Sequence, residues 1–390
     1  MMKNFPHSFK ELKALVSVLK NSPKACDLNE AAANMADMEY CFAALNKVSR
    51  SFAVVIQNLP TELRNPVCIF YLTLRGLDTV EDDMNIELQK KILLLNNFYK
   101  NCGNEYFSLE NIGDTDDYRN LLRHYYKVAR AFNRLDKKYQ WVISDVCRQM
   151  GEGMAKFAEK KLHTQEDYDN YCHYVAGLVG YGLSGLFSAS GLEDERLQYQ
   201  YQLSNSMGLM LQKTNIIRDY HEDLKQKRIF WFTEAWKPYA EHIDWFSLNA
   251  THTSSLNCLN GLVADALRHL PDCITYLKLL KQKEVFRFCA IPQVMAIHTL
   301  AEVYNNPKVF TSVVKIRKPL AAAMMVYTNQ MKDATDYINH ALLKIEQKAK
   351  QDLLHGKNIQ SLVEKARTQL SDTKTYIWQE APAVEQTVLF

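Results

Sequence analysis

The run Asp78-Thr79-Val80-Glu81-Asp82-Asp83 packs four carboxylates into six residues. On a helix Asp78, Glu81 and Asp82 fall at i, i+3 and i+4 and share one face. Extending that face backwards by threes and fours collects Arg75 and Tyr71. Acids held this close among Tyr71, Leu72, Leu74 and Leu77 repel one another unless a positive charge stands between them. Oxygen ligands with room for water suit magnesium, which bridges carboxylates to the phosphates of a substrate. Taken alone, the run is equally well an acidic, solvated helix end. A second face changes that balance. Gln212, Asn215, Asp219, Glu222 and Asp223 recur at steps of three and four, flanked by Thr214 and Arg218, on a stretch rich in Met and Leu. Two such faces opposed across a helical bundle could hold magnesium ions between them, as bundle cores do. A clamp of that kind neutralises a departing diphosphate as its carbon–oxygen bond breaks. No Gly-rich phosphate loop is present, which disfavours nucleotide hydrolysis.

The elements that must carry these faces read as helices. Apolar residues recur at three and four through most of the chain, and long strand-like alternation is rare, so the fold class is all-α. Asn65-Pro66 predicts an N-cap followed by proline at the first helical position, opening a helix over Val67–Met84, with Pro60-Thr61 as the preceding turn. A second helix is predicted over Glu166–Leu186. Its small residues Ala176, Gly177, Gly180, Gly182, Ser184 and Gly185 admit another backbone or a ligand. A third runs over Ser204–Leu224, and a fourth over Val285–Tyr304 with an interruption at Pro292. The tail from Lys344 to Thr373 is charged and amphipathic until Ala381-Pro382 breaks it. With 13 glycines and 10 prolines in 390 residues and no linker-like run, the chain reads as one domain over 1–390. Its 47% hydrophobic content supplies a sizeable core. The net charge of +3 is spread out and points to no nucleic-acid partner. Nine cysteines without metal-ligand or paired spacing read as reduced thiols. The longest apolar run, Leu320–Tyr327, is far below the roughly 20 residues that span a bilayer. No signal peptide is evident, so the chain reads as soluble and cytoplasmic.

Beyond these patterns, particular strings resemble the squalene synthase family. Phe70-Tyr71-Leu72-Thr73-Leu74-Arg75-Gly76-Leu77-Asp78-Thr79-Val80-Glu81-Asp82-Asp83-Met84 is similar to the family's first aspartate-rich motif. Gln212-Lys213-Thr214-Asn215-Ile216-Ile217-Arg218-Asp219-Tyr220, with Glu222-Asp223 and Phe230-Trp231 after it, is similar to the second. Tyr171-Cys172-His173-Tyr174-Val175-Ala176-Gly177-Leu178-Val179-Gly180 resembles the central motif. Ser49-Arg50-Ser51-Phe52 and Phe288-Cys289-Ala290-Ile291-Pro292-Gln293-Val294-Met295-Ala296 match two more. The likeness runs in order from about Tyr40 to Lys318.

The resemblance implies a single helical bundle of the class I isoprenoid synthase type around a central channel, acting as a monomer. It implies head-to-head condensation of two farnesyl diphosphates to presqualene diphosphate, then reductive rearrangement to squalene with NADPH. Asp78, Glu81, Asp82, Asp219 and Asp223 would hold magnesium, and Tyr171 would be the acid/base of the first half-reaction. Arg50, Arg75, Arg218, Lys315 and Arg317 match positions that contact diphosphate or cofactor phosphates, a task for fixed forks and point charges. Ser49, Ser51 and Phe52 would line the mouth, and Tyr71, Gln212 and Asn215 the substrate face. Phe286 and Phe288 would face the carbocations, where aromatic faces stabilise positive charge. Core packing is the alternative reading for Tyr171 and for both phenylalanines, and a solvated basic patch the alternative for Lys315 to Lys318. Gly76 and His221 depart from the alanine and leucine usual in the family. His221 lies off the acidic face. The family's eukaryotic members end in a membrane anchor, and no such segment follows Val384. The expectation is either a naturally soluble form or a chain whose anchor was removed, which would otherwise sit on the cytosolic face of the endoplasmic reticulum. Peripheral membrane contact for product release fits either. Two rivals remain at this point: a non-reducing head-to-head synthase making dehydrosqualene or phytoene, and a helical scaffold without catalysis.

Overall fold

A computed structural model describes residues 9–20, 35–373 and 376–379. At Arg50, Ser51 and part of the first helix the description covers the backbone alone. Among the described residues there is no β-strand. The chain runs through α1 (Phe9–Lys20), α2 (Asp37–Val48), α3 (Arg50–Gln57), α4 (Thr61–Asp82), α5 (Leu88–Asn97), α6 (Asp116–Arg123), α7 (Tyr125–Asn133) and α8 (Lys137–Ala158). It continues through α9 (Gln165–Cys172), α10 (Leu178–Ser190), α11 (Tyr201–Arg218), α12 (Tyr220–Lys225), α13 (Thr253–Leu267) and α14 (Leu270–Leu279). The last four are α15 (Lys283–Val303), α16 (Lys318–Tyr327), α17 (Met331–Ala349) and α18 (Gly356–Ser371).

The first acidic helix starts a turn and a half earlier than Asn65-Pro66 predicts. Pro60 sits at the N-cap, and its carbonyl accepts from Leu63 and Arg64, both at 2.9 Å. Pro66 lies inside α4, where it forfeits only the bond that Glu62 would have accepted. Leu63, Val67, Phe70, Leu74 and Leu77 follow at helical spacing and are buried, so packing outweighs that single loss. Pro292 likewise lies within an unbroken α15, a helix buried on nearly every side.

Two of the expected long helices are broken near functional positions. Between α9 and α10 the chain makes a wide π-type turn over His173–Gly177. Thr164 and Asp167 cap the start of α9 reciprocally. Behind the turn, α10 and α11 cross with their backbones touching. A Cβ on Gly208 would lie 2.2 Å from the Ala176 carbonyl, and one on Gly180 would lie 2.1 Å from the Ser204 carbonyl. The small residues of this segment therefore admit a neighbouring helix. The stretch Ser204–Leu224 is likewise two helices, with Asp219 at the corner (φ −93°, ψ 5°). Tyr220 anchors that corner: its hydroxyl donates to the Ile243 carbonyl at 2.5 Å and its ring packs on Trp231 and Phe310.

The charged tail is part of the body. Ile338, Leu342 and Ile345 of α17 and Ile359 and Val363 of α18 are buried in the main core. Lys348 donates to the carbonyls of Ala301 and Tyr304 at 2.7 Å, satisfying the C-terminal end of α15. The Ala381-Pro382 break lies outside the described residues. Eight described cysteines are all buried and unpaired. No helix of the described residues is long and apolar enough to cross a membrane.

Candidate active site

The end of α4 and the α11–α12 corner face each other across a cavity of about 220 Å³. Asp78, Glu81 and Asp82 line it from one side and Gln212, Asn215, Asp219 and Asp223 from the other, with Tyr171 between them. The structure thus brings together the tyrosine and the five carboxylates expected to hold magnesium, while Glu222, expected on the same face, lies beside His221 away from the mouth. Asp83, the fourth acid of the first run, has a different task. It is buried and accepts from the backbone N–H groups of Gly113 (2.8 Å) and Asn85 (2.9 Å), tying the turn after α4 to the loop at Gly113.

Three arginines pair with the acids of the mouth, and two of them, Arg75 and Arg228, line it themselves. Arg75 stands 3.5 Å from Asp78, and Arg218 holds Asp219 through two bonds of 2.7 and 2.6 Å. Arg228, which sequence patterns did not single out, bridges the two helices. It donates to Asp82 at 2.9 Å and to Asp223 at 3.0 Å. Only its place between Glu222-Asp223 and Phe230-Trp231 hinted at a role. Among the described residues the Glu81 carboxylate has no hydrogen-bond or ion-pair partner, and Lys91 reaches only its backbone carbonyl (2.7 Å).

Crowding raises the acids' proton affinity. Burial pushes Asp78 up to about 6, opposed by Arg75 and reinforced by Asp82. Burial also lifts Glu81, with Asp82 and Asp78 adding to it. Asp223 is pushed to about 6 by burial despite Arg228. The arginines of the mouth therefore do not offset the burial and crowding of its acids. Among the described residues no three His, Cys, Asp or Glu groups are gathered tightly enough to hold an ion alone. All-oxygen donors in that looser arrangement fit magnesium, which takes one or two carboxylates together with substrate phosphates. The buried Nε atoms of Arg75 and Arg228 lack partners, which also fits an anion arriving between them.

Tyr171 is buried, stacked on Phe230 (5.5 Å between centroids) with Phe157 against its edge. Burial, then Glu81 and Asp82, raise its pKa well above the ordinary phenol value, so it carries its proton.

An apolar chamber of about 210 Å³ adjoins the mouth and shares Arg75, Asp78 and Gln212 with it. Tyr71, Phe52 and Phe288 line it, with Phe52 6.1 Å from Tyr71 and 6.4 Å from Phe288. Phe286 does not line it. Residues two apart on a helix point to nearly opposite sides, and Phe286 packs into the core. A third cavity, about 480 Å³, shares Phe52 with the chamber and Asn215 with the mouth. Arg218, Lys315 and Lys318 give it a basic rim. Arg317 is turned to α1, where Glu11 accepts from it at 2.8 and 3.1 Å. Ser49 is buried at the α2–α3 junction and lines none of the three cavities. The Arg50 and Ser51 side chains lie outside the described residues. His221 is away from the mouth, beside Thr311 and Ser312.

The squalene/phytoene synthase family model matches residues 45–319, the span that carries both acidic helices, Tyr171, the mouth and the apolar chamber. The chain belongs to this family. It is 49% identical to squalene synthase of Homo sapiens over 294 residues, covering 75% of this chain and 70% of that one. It is 48% identical to squalene synthase 1 of Arabidopsis thaliana over 305 residues, 75% of this chain and 72% of the relative. The solved complex of TcSQS with the ligand E5700 superposes with a TM-score of 0.83 at 42% identity, covering 86% of this chain and 98% of that one. Gly76, where relatives were expected to carry alanine, is filled from outside: a Cβ there would meet Phe98 at 3.0 Å and Tyr125 at 3.3 Å.

Proposed function

We propose that this chain has squalene synthase activity: it joins two farnesyl diphosphates head to head into presqualene diphosphate and reduces the rearranged product with NADPH. The observation that carries the reading is the pairing of an arginine-threaded acidic mouth with an apolar chamber opening directly from it. Asp78, Glu81 and Asp82 on one side, and Asp219 and Asp223 on the other, are the candidate magnesium holders. When bound, magnesium would neutralise the two diphosphates as they depart.

The chain's own groups do the rest. Arg75, Arg218 and Arg228 present forks suited to diphosphate oxygens once the acids have a metal to hold instead. Gln212 and Asn215 orient the substrate at the cavity wall. Tyr171 starts protonated, gives that proton to a departing diphosphate oxygen, and recovers one from carbon as the cyclopropane closes. Tyr71, Phe52 and Phe288 keep water from the carbocation and turn ring faces towards it.

NADPH supplies hydride for the second step. The third cavity is its candidate site, with Arg218, Lys315 and Lys318 for phosphate and Asn215 on the shared wall. Arg317 joins that set only by leaving Glu11.

Asp78→Asn and Asp219→Asn test the metal assignment. Each removes a charge at nearly constant volume, so diphosphate release from farnesyl diphosphate should be lost while the helical circular-dichroism spectrum persists. Near-normal release at saturating magnesium would sink the two-sided acidic clamp.

A further inference from the structure

Behind the mouth lies a second set of charges that the reaction does not use. Lys213 of α11 is wholly buried, one residue past Gln212 and on the side away from the cavity. Its ammonium donates to Asp169 of α9 at 2.5 Å and to Asp265 of α13 at 2.6 Å. Arg268, just after α13, donates to the second oxygen of each: Nη2 to Asp169 at 2.6 Å and Nε to Asp265 at 2.7 Å. Two cations and two anions thus form a closed ring that ties three helices together. The ammonium also lies 5.1 Å from the centroid of the Tyr168 ring.

A part-buried ring of ions built on a fully buried ammonium is a poor source of stability, because desolvation at Lys213 and solvent screening at Arg268 and Asp169 cancel much of the attraction. It is a stringent source of register, since the four bonds close at one separation only. Asp169 stands two residues before Tyr171, so on α9 the two point to nearly opposite sides. The ring grips the back of α9, and the Tyr171 hydroxyl projects from the front towards the acids. The wide turn at His173–Gly177 begins two residues after Tyr171. The helical segment that presents the hydroxyl is short, and the ring is its anchor.

We infer that the grip of Lys213 and Arg268 on Asp169, the side of this ring that lies on α9, is a positioning device for Tyr171. It sets the hydroxyl against the diphosphate mouth while touching neither substrate nor metal. This rests on the proton-handling role proposed for Tyr171.

The test compares two variants that remove one anion each from the same ring. Only Asp169 belongs to the helix of Tyr171; Asp265 belongs to α13. Single-turnover formation of presqualene diphosphate is measured at saturating magnesium. A displacement of about 1 Å costs on the order of a hundredfold in rate, so Asp169→Asn should lower kcat by roughly ten- to a hundredfold. KM for farnesyl diphosphate should stay within about twofold, and Asp265→Asn should keep kcat within about threefold. In a Tyr171→Phe background, adding Asp169→Asn should change kcat no further, because the two act as one unit. Equal losses in the two single variants, or losses that multiply in the Tyr171→Phe background, would overturn the inference. If Tyr171→Phe alone turns over normally, it is the role of the tyrosine that fails, a separate result. Should Asp169→Asn not fold, Asp169→Glu keeps the charge and lengthens the arm by one methylene. The same loss of kcat is expected there at an unchanged melting temperature, and normal kcat in that variant would refute the positioning role.

Discussion

Arg228 offers the sharpest test of how the acidic mouth is balanced. Its guanidinium is the link between Asp82 on one acidic helix and Asp223 on the other. Arg228→Gln removes the charge and leaves a shorter polar side chain that no longer spans the two helices. The Asp223 side chain is only 11% exposed, and a hydrogen bond between charged groups of that kind contributes about 1.5–3 kcal/mol. Asp82 is 40% exposed, so solvent screening reduces its share to under about 1 kcal/mol. The sum is about 3 kcal/mol in metal-free protein. Unfolding entropy of about 2.1 cal/mol/K per residue over 390 residues is about 0.8 kcal/mol/K. The melting temperature should therefore fall by roughly 4 °C in EDTA. Calorimetry is then repeated with magnesium and inorganic diphosphate. Because Arg228 is also proposed to receive diphosphate oxygens, the stabilisation by magnesium diphosphate should be smaller than in the parent. A variant as stable as the parent in EDTA would refute the reasoning. So would an equal or larger increment with magnesium diphosphate, which would make Arg228 a counter-ion of the empty mouth and not a ligand of the diphosphate.

Other substitutions probe the frame and the third cavity. Gly208→Ala puts a Cβ 2.2 Å from the Ala176 carbonyl, so the His173–Gly177 turn and α11 must part by about 1 Å; overpacking of this kind costs about 1–3 kcal/mol, read as a lower melting temperature. The same shift should cut condensation by on the order of a hundredfold, and an unchanged kcat would show that the crossing does not set the site. Lys315→Ala with Arg317→Ala should keep presqualene diphosphate formation and raise the NADPH concentration needed for squalene. Loss of condensation with an unchanged cofactor requirement would move both residues to substrate binding or folding. Glu11→Gln releases Arg317, and a lower KM for NADPH is the expected kinetic result.

The helical period of the sequence located the acidic faces because it depends on spacing alone, and spacing survives folding. Asp78, Glu81 and Asp82 needed only that α4 be a helix, and the burial of Leu74 and Leu77 on its other faces makes it one. Boundaries were less legible. Pro66 and Pro292 read as punctuation, yet each removes a single hydrogen bond from a helix held by many buried side chains. The corner at Asp219 depends on Tyr220 reaching Ile243, a contact between distant segments that no local pattern encodes. The same holds for Arg228 and Lys213, whose partners lie on other helices. Phe286 is different, because the two-residue offset from Phe288 was enough to separate them. The turn at His173–Gly177 escaped because a π-type turn has no composition of its own, although the glycines around it did mark the close helix crossing.

Product analysis with magnesium present and NADPH alone withheld tests the central claim most directly. Radiolabelled farnesyl diphosphate is incubated with the protein, and the lipid products are separated before and after the cofactor is added. Presqualene diphosphate or its unreduced rearrangement products should form without NADPH, and squalene should replace them once NADPH is supplied. The same unreduced hydrocarbon in both arms would contradict the account and make the chain a non-reducing head-to-head synthase.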